Sequence, residues 1–345
     1  MKILIYSSLA QDTGSAVRAN LIAESLKRRG MKVEYIKPLS KTLPYKIDLI
    51  ISLPYYFFKA IFSNTNYVLA VKSYPNVIIP IILKKLTGAK IIIDTDDLSF
   101  AYAKGLQRNL SQLSEYFALE LADLHTSHNQ KLLNYLEKKL KISSEKMYLL
   151  KQGIAPLFEK KNSKPTGGKK LLFVGHFDNA CDLEPILRAC QKVFVKMPEA
   201  TLTLIGSGER KKEFLNLARD LGIDKKIFWT GLLSPEEVAR LILLSDVCLV
   251  FYKDNLANQY RVSLKLREYL ALGKRVVCNN VGDLAEFRKF TYQTNSDLSE
   301  FAKKIIKVLS GYSDRREIRG TEYIKSNYSA DKIAANFIVK LQKLT

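Results

Sequence analysis

The chain has 345 residues, of which 47% are hydrophobic and 26% are charged, and its formal net charge is +21. This composition excludes an intrinsically disordered chain and allows about two globular domains. The basic excess favours an anionic partner, such as nucleic acid, an anionic lipid surface or a phosphorylated substrate. The cysteines form no C-x-x-C pair, so neither a zinc site nor a disulfide framework is indicated. No segment has the pattern of a signal peptide or of a transmembrane helix.

The first half of the chain alternates short apolar runs with amphipathic segments. Lys2–Tyr6 is typical of a buried strand, Ser7–Ser15 of a loop, and Ala16–Arg29 of a helix. With a further strand at Val33–Ile36, this order opens a doubly wound α/β domain. The loop lacks G-x-G-x-x-G, so a nicotinamide cofactor is not indicated. Further elements of this half are predicted as strands at 48–52, 67–71, 123–128 and 147–150 and as a helix at 100–122.

Two strongly apolar segments of the first half allow two interpretations. One is the aromatic segment from Tyr55 to Phe62, and the other is the helix predicted from Asn76 to Leu86, which ends in paired lysines. Both are compatible with an ordinary core. Both are also compatible with an aromatic, basic-flanked patch on a membrane surface.

Acidic residues follow the strand that begins at Lys90. Asp94, Asp96 and Asp97 can bind a divalent metal, or they can cap the following helix, and the sequence leaves both open. His125 and His128 are three residues apart without a third ligand nearby, so we expect them in a loop or facing a substrate and not on a metal.

Residues 161–170 are the clearest linker, since they combine charge, Pro and paired Gly without apolar periodicity. Strands alternating with helices then resume, which predicts a second parallel α/β domain. Its strands are predicted at 171–174, 201–205, 227–229, 247–251 and 275–278, and its helices at 183–195, 209–221 and 235–244. Helices are also predicted at 297–309, 314–328 and 330–344.

The segment from Ser263 to Gly273 combines a good N-cap residue with an apolar helical stripe and a terminating glycine. A helix N-terminus suits a phosphate, and Lys265 and Arg261 add positive charge beside it. Glu268 is an acceptor that suits a pair of sugar hydroxyl groups. A capped amphipathic helix with a solvated Glu explains the same residues equally well.

The order of these motifs resembles the GT-B glycosyltransferases, specifically family 4 of the retaining nucleotide-sugar enzymes, over nearly the whole chain. The segment from Ser263 to Val277 resembles the family pattern SPLKLxEYLAxGKPVV. Other segments with family-like spacing are Gly14–Ser15, Leu121–Ser127, Gln152–Ile154, Phe173–Gly175, Leu204–Gly208, Thr230–Gly231 and Ser245–Asp246.

The resemblance implies an α/β, GT-B architecture of two Rossmann-like doubly wound domains facing across a cleft. The domains would be an acceptor-side domain at 1–160 and a nucleotide-sugar-binding domain at 171–322, with a C-terminal helix at 323–345 packing back on the first. In this family the helix start and a Lys hold the donor diphosphate, and a Glu binds the ribose. The donor site carried over in this way comprises Gly14, Ser15, Gly175, His176, Gly206, Gly208, Arg210, Leu232, Tyr260, Arg261, Ser263, Leu264, Lys265 and Glu268.

The chain departs from the family pattern at three positions. Tyr260 stands where the first Glu of E-x7-E is usual, His176 where an Arg is usual, and Cys181 near the usual Lys. Losing two cations removes groups that offset phosphate charge. We therefore expect Arg261, Lys265 and Arg210 to take over that role.

The catalytic candidates are Asp96, Asp97, Lys265 and Glu268, with the two aspartates contacting a sugar or acceptor hydroxyl. The resemblance implies that the leaving phosphate acts as the base, so no protein nucleophile is predicted, and neither a cofactor nor a metal is expected.

The predicted function is transfer of a sugar from a nucleoside diphosphate sugar to a carbohydrate or lipid-linked acceptor. The basic charge and the two apolar segments favour an acceptor at an anionic membrane surface, with the protein in the cytoplasm or peripheral on the inner face of the cell membrane. One alternative is a DNA-modifying glycosyltransferase, although no basic stripe with interleaved aromatics favours nucleic acid. The other is a catalytically degenerate binding or scaffold protein.

Overall fold

The computed structural model of the protein describes residues 1–7, 14–36, 54–55, 58–59, 61–72, 78–98, 101, 105–159 and 167–344. The strand predicted at 48–52 and most of the predicted linker lie outside these residues. The chain forms two compact units. The first contains Met1–Gly153, Tyr260–Val262 and Ala330–Thr345, and the second contains Ile154–Gln259 and Ser263–Ser329.

The described strands of the first unit form one parallel sheet in the order β2-β1-β3-β4-β5-β6. Strands β1, β3 and β4 are almost continuous apolar runs, as expected for a parallel sheet with both faces covered, whereas β5 is buried but mostly polar. The elements in chain order are β1 (Lys2–Tyr6), α1 (Gly14–Arg28), β2 (Lys32–Ile36), β3 (Tyr67–Val71), α2 (Ile78–Thr87), β4 (Lys90–Asp94), α3 (Gly105–Leu121), β5 (Leu124–Ser127), α4 (Gln130–Leu140) and β6 (Met147–Leu149).

The C-terminal helix α13 (Ala330–Gln342) completes the first unit. It packs beside α1, where Arg28 pairs with Asp331 at 2.7 Å. Phe337 lies in the core with the strand residues of one sheet face, and the hydroxyl of Tyr67 donates to the carbonyl of Leu341 at 3.0 Å. The C-terminal helix therefore covers this face of the sheet together with α1.

The described strands of the second unit form another parallel sheet, in the order β12-β11-β10-β7-β8-β9. Helices cover both faces of it, with one core against α6, α7 and α11 and another against α8, α10 and α12. In chain order the elements are α5 (Pro156–Glu159), β7 (Lys170–Val174), α6 (Leu183–Lys196), β8 (Thr201–Ile205), α7 (Lys211–Asp220), β9 (Ile227–Gly231), α8 (Pro235–Leu243), β10 (Val247–Val250), α9 (Leu256–Tyr260), α10 (Leu264–Ala271), β11 (Arg275–Asn279), β12 (Tyr292–Thr294), α11 (Leu298–Leu309) and α12 (Arg316–Asn327).

Two parallel, helix-covered sheets confirm the predicted α/β class with two Rossmann-like units. Several local predictions were wrong. Gly14 and Ser15 are the first residues of α1 and not part of the preceding loop, and helix α4 and strand β12 were not predicted. His125 lies in β5, within the strand predicted at 123–128, and is buried, so the loop alternative for this residue was wrong. None of the described helices combines the length and hydropathy that a bilayer crossing requires.

Candidate functional site

Helix α10 of the second unit begins after Ser263, which is its N-cap as predicted. The Ser263 hydroxyl accepts a hydrogen bond from the N–H of Leu266 at 3.3 Å, and the Ser263 N–H donates to Asp283 Oδ2 at 3.0 Å. Both groups thus serve the helix start itself. The N–H groups of Leu264 and Lys265 belong to the first turn and point out of the helix N-terminus. An anion at this end would meet these two groups and the partial positive charge of the helix.

Lys265 lies over the end of strand β7. Its Nζ is 4.1 Å from the centroid of the Phe173 ring and 3.3 Å from the point that a Cβ on Gly175 would occupy. An ammonium over an aromatic face is held by a cation–π contact. The side chain therefore has a defined place beside the loop after β7, on the same turn as the helix N-terminus.

Glu268 follows Lys265 by three residues and is partly buried. Burial raises the pKa of its carboxyl group from 4.5 to about 7, against the opposing charge of Lys265. The next residue, Tyr269, accepts a hydrogen bond on its hydroxyl from the N–H of Val174 at 2.8 Å. This bond fixes α10 against the end of β7, so Lys265 and Glu268 are carried on a rigid element.

The predicted glycines after β7 and β8 meet through their backbones. A Cβ on Gly206 would overlap the carbonyl of Gly175, and a Cβ on Gly208 would overlap the backbone of Phe177. Both Gly206 and Gly208 also have positive φ, at 139° and 157°. Hydrogen bonds from Phe177 N–H to the Ser207 carbonyl and from Gly206 N–H to the Gly231 carbonyl join the same loops. The close packing of these loops explains their glycines, whatever ligand lies beside them.

Three other residues were predicted to bind the donor, namely His176, Arg210 and Leu232. His176 is partly buried, and Leu232 is an exposed apolar residue just after β9. Arg210 donates from Nε to Glu213 at 2.8 Å, and its guanidinium lies over the ring of Phe214 at 4.7 Å. Because Glu213 already offsets the charge of Arg210, Lys265 is the better candidate for replacing the cations of the family pattern.

Sequence reasoning missed a buried ion pair beneath α10. Arg267 Nη1 donates to Asp283 Oδ2 at 2.7 Å and to the Ser263 carbonyl at 2.9 Å, and both charged side chains are buried. The guanidinium lies 4.9 Å from the rings of both Phe287 and Tyr328. Asp283 therefore ties Arg267 to the helix start. The signal was a charged residue within the apolar face of α10, which implies a buried partner.

In the first unit, Ser15 at the start of α1 donates a hydrogen bond from its hydroxyl to Oδ2 of buried Asp96. Burial raises the pKa of Asp96, but the charges of Lys72 and His128 and the Ser15 hydroxyl outweigh burial and hold the pKa below its usual value. The other oxygen of Asp96, Oδ1, is buried and has no hydrogen-bond partner in the described part of the chain. Asp97 pairs with Lys72 at 3.2 Å.

Asp94, the first of the three acidic residues, has a structural role. Its carboxylate receives two hydrogen bonds from Arg18, at 2.6 and 2.8 Å, and one from the Thr126 hydroxyl at 2.6 Å. Arg18 also donates to the Leu150 carbonyl at 2.7 Å and to Gln152 Oε1 at 3.2 Å. The pair thus joins α1, β4, β5 and the chain after β6. Within the described ranges, no group of three His, Cys, Asp or Glu side chains is arranged to hold a metal ion.

Tyr260 and Arg261 belong to the first unit. The Tyr260 ring lies 5.3 Å from that of Tyr135, and its carbonyl accepts a hydrogen bond from Asn129 Nδ2 at 2.8 Å. Burial raises the pKa of Asp97 above its usual value, and the charges of Lys72 and Arg261 only partly oppose this rise. The predicted site residues therefore fall into two groups. Gly14, Ser15, Asp96, Asp97, Tyr260 and Arg261 lie in the first unit and the others lie in the second.

The chain is similar in sequence to known glycosyltransferases. Residues 155–323 match the family model of the glycosyl transferases group 1. The chain is 26% identical over 272 residues to TuaH of Bacillus subtilis, which is named as a teichuronic acid biosynthesis glycosyltransferase. This alignment spans 70% of the chain and 66% of TuaH, just under two thirds of that relative's length.

Two solved structures are similar over nearly their whole length. Sucrose-phosphate synthase of Thermosynechococcus elongatus has a TM-score of 0.83 at 16% identity, covering 99% of this chain and 98% of that one. HepE of Anabaena, solved with UDP and glucose, has a TM-score of 0.76 at 14% identity, covering 99% of both chains. At these identities the structures establish the fold. The chain therefore has the GT-B fold, and its residues 155–323 match the family model of the glycosyl transferases group 1.

Proposed function

We propose that this chain is a retaining glycosyltransferase that moves a sugar from a nucleoside diphosphate sugar to an acceptor. The observation that carries the proposal is the placement of Lys265 in the second unit. Its ammonium lies over Phe173 and beside Gly175, on the first turn of a helix whose N-terminus suits a phosphate. The UDP and glucose in the similar HepE structure support a donor of the same class for this chain.

In the proposed reaction, the donor diphosphate lies at the N-terminus of α10. The first-turn N–H groups bind its oxygens, and Lys265 offsets the negative charge that grows on the leaving diphosphate as the bond to the sugar breaks. Glu268, in its ionised form, accepts hydrogen bonds from the ribose hydroxyls. The positive charge is supplied by the protein, so we propose that no metal is required.

The acceptor side is proposed to lie in the first unit. Asp96 keeps a carboxylate oxygen that is not used by other described side chains and can accept a hydrogen bond from an acceptor hydroxyl. Asp97 is held by Lys72 nearby. Retention is proposed to follow from the leaving phosphate acting as base. We further propose that the acceptor is presented at a membrane surface.

The test is Lys265→Ala, with Lys303→Ala as the matched control because Lys303 is an exposed cation of the same unit. Binding and turnover would be measured with UDP-, GDP-, ADP- and dTDP-sugars. We expect the donor that binds wild type to lose about a hundredfold in kcat/KM with Lys265→Ala and to be unaffected by the control. Unchanged binding and turnover in Lys265→Ala would refute the donor assignment. Binding of no nucleoside diphosphate sugar by wild type would refute the function.

A second candidate is a donor-binding protein without transfer activity. It is favoured by Cys181, which is buried beside the loop after β7 and supplies no cation where the family pattern has a Lys. Tyr260, packed on Tyr135, likewise offers no carboxylate at its position. The two candidates differ in turnover. Tight binding of a nucleoside diphosphate sugar with neither transfer nor slow donor hydrolysis would favour the binding protein.

A further inference from the structure

Helix α3 of the first unit exposes several large apolar side chains, while two of its polar side chains are buried. Buried side chains on it include Ser111 and Glu115, which are 2% and 5% exposed. A helix on the surface of a globular domain normally turns its apolar side chains to the core and its polar ones to water. Here large apolar side chains face solvent, namely Leu106 (74% exposed), Leu110 (43%), Leu113 (53%) and Phe117 (46%).

These four residues form one continuous ridge, called the α3 ridge below. They are spaced at i, i+4, i+7 and i+11, which places them within about 60° of the helix circumference. The helix has 17 residues and is therefore about 25 Å long. Tyr116, which is also exposed, widens the ridge near its C-terminal end.

Basic residues lie at the C-terminal end of the ridge. Lys84 of α2 donates to the carbonyl of Leu121, the last residue of α3, and pairs with Asp123 at 3.3 Å. The C-terminus of α2 is therefore beside the C-terminus of α3. At that point α2 also exposes Lys85 and Leu86.

A third segment reaches the same edge of the first unit. Ile61 packs against the core cluster that contains Ala89, just after α2, and Ala122, just after α3. The exposed rings of Phe58 and Phe62 belong to this segment. Lys59 of this segment lies 3.9 Å from Glu34 of β2, so these rings add exposed aromatic surface on the β2 side of the sheet.

We infer that the α3 ridge is the surface on which the first unit binds an anionic lipid bilayer. An apolar helix face with nearby lysines and aromatic residues is the arrangement of an interfacial helix. The lysines would meet anionic headgroups, and the net charge of +21 supports attraction to such a surface. A second copy of the chain fits less well, because the cores of protein interfaces are depleted in Lys.

The reason for this membrane contact, which is access to an acceptor in the bilayer, rests on the proposed function. Helix α3 connects β4 to β5, so it runs from the sheet edge that carries Asp96 and Asp97 toward the opposite edge. A bilayer in contact with the whole ridge would therefore lie beside that edge. An acceptor embedded in the same bilayer would then approach the first unit from the side on which α3 lies.

The test compares Leu110→Ser/Leu113→Ser with a control double variant, Val195→Ser/Ile318→Ser. The control residues are exposed apolar side chains on helices of the second unit, at 74% and 53%. Sedimentation with phosphatidylcholine vesicles, with and without phosphatidylglycerol, measures binding, and size-exclusion chromatography with light scattering measures oligomeric state. Circular dichroism melts confirm that each variant folds.

We expect wild type to bind the vesicles with phosphatidylglycerol, to bind phosphatidylcholine alone weakly, and to be released by salt. The α3 variant should lose about tenfold in vesicle affinity and the control should lose little. Absence of wild-type binding, or equal binding by the α3 variant, overturns the inference. The inference is also overturned if wild type is a dimer, the α3 variant is a monomer, and both bind vesicles equally. Donor hydrolysis without vesicles should be equal in all three proteins, and its absence from wild type would refute the proposed function alone.

Discussion

The pKa of Glu268 makes a pH-dependent prediction about donor binding. Burial raises this pKa from 4.5 to about 7. If only the ionised carboxylate accepts the ribose hydroxyls, donor affinity should follow its ionised fraction. That fraction is about 10% at pH 6 and about 90% at pH 8, so affinity should rise up to about ninefold over this range. A diphosphate linked at both ends does not titrate there, so the donor itself does not add to the effect.

Glu268→Gln removes the titrating group and should flatten this profile. Glu322→Gln is the control, because Glu322 is an exposed residue of helix α12. Isothermal titration at pH 6, 7 and 8 gives the affinities. Trp229 is the single tryptophan of the chain and packs 5.9 Å from the ring of Phe177, so its fluorescence offers a second readout. The same ninefold rise in Glu268→Gln would refute the role given to this carboxylate.

The raised pKa of Glu268 also predicts how folding stability depends on pH. As pH rises, the free energy of unfolding of wild type should fall relative to that of Glu268→Gln. Below pH 4.5, the usual pKa, both folded and unfolded chains hold the proton on Glu268. Between 4.5 and about 7 the unfolded chain releases it while the folded chain keeps it, so stability is lost as pH rises through the folded pKa. Because Glu268 is only partly buried, we expect a loss of about 1–2 kcal/mol, measurable by urea denaturation.

Two further predictions concern the fold around the site. Asp94→Asn leaves the buried charge of Arg18 without its partner and should cost about 3–5 kcal/mol of unfolding free energy in urea melts. Asp331→Asn breaks an exposed pair and should cost less than about 1 kcal/mol. Equal costs for the two variants would contradict the role given to the buried pair. Gly206→Ala should cost more than about 3 kcal/mol or prevent folding, because the added Cβ overlaps a carbonyl at positive φ. Gly222→Ala, also at positive φ but with open space, should cost about 1 kcal/mol in the same melts, and similar values would argue against the overlap.

The fold class could be predicted because buried parallel strands are short apolar runs. Leu171–Val174 and Val247–Val250 are such runs; an amphipathic helix follows the first and precedes the second. Strand β12 could not be predicted in this way. Tyr292–Thr294 is only three residues long and contains Gln293, and it becomes a strand through pairing with β11.

Two other wrong predictions, for helix α4 and for Gly14, concern features that depend on nearby residues only. Helix α4 has Asn129 as its N-cap, with the side chain accepting from Lys131 N–H, and buries Leu132, Leu133 and Leu136. That cap and spacing were readable from the sequence. The loop predicted at Ser7–Ser15 included Gly14, whereas Gly14 is the first residue of α1, where a glycine costs less than in a helix interior.

The site could be predicted only where the chemistry is local. The cap at Ser263 involves residues within three positions, so a sequence pattern detects it. The Arg267–Asp283 pair joins residues sixteen positions apart, and its geometry depends on the tertiary structure. The acidic residues after β4 show the same limit, because Asp94 and Asp97 take different cations as partners from distant parts of the chain.

The structure bears on the two interpretations of α10 that the sequence left open. A merely capped helix would leave Lys265 and Glu268 solvated. Instead Lys265 lies over Phe173, and Glu268 is buried enough for its pKa to reach about 7. Perturbed carboxylates of this kind cluster at functional sites. Ser263, whose hydroxyl and N–H both serve the helix start, satisfies the capping interpretation, so the phosphate interpretation depends on Lys265 and the first-turn N–H groups. The two roles are thus carried by different residues of one helix, and only the second predicts that donor binding depends on Lys265.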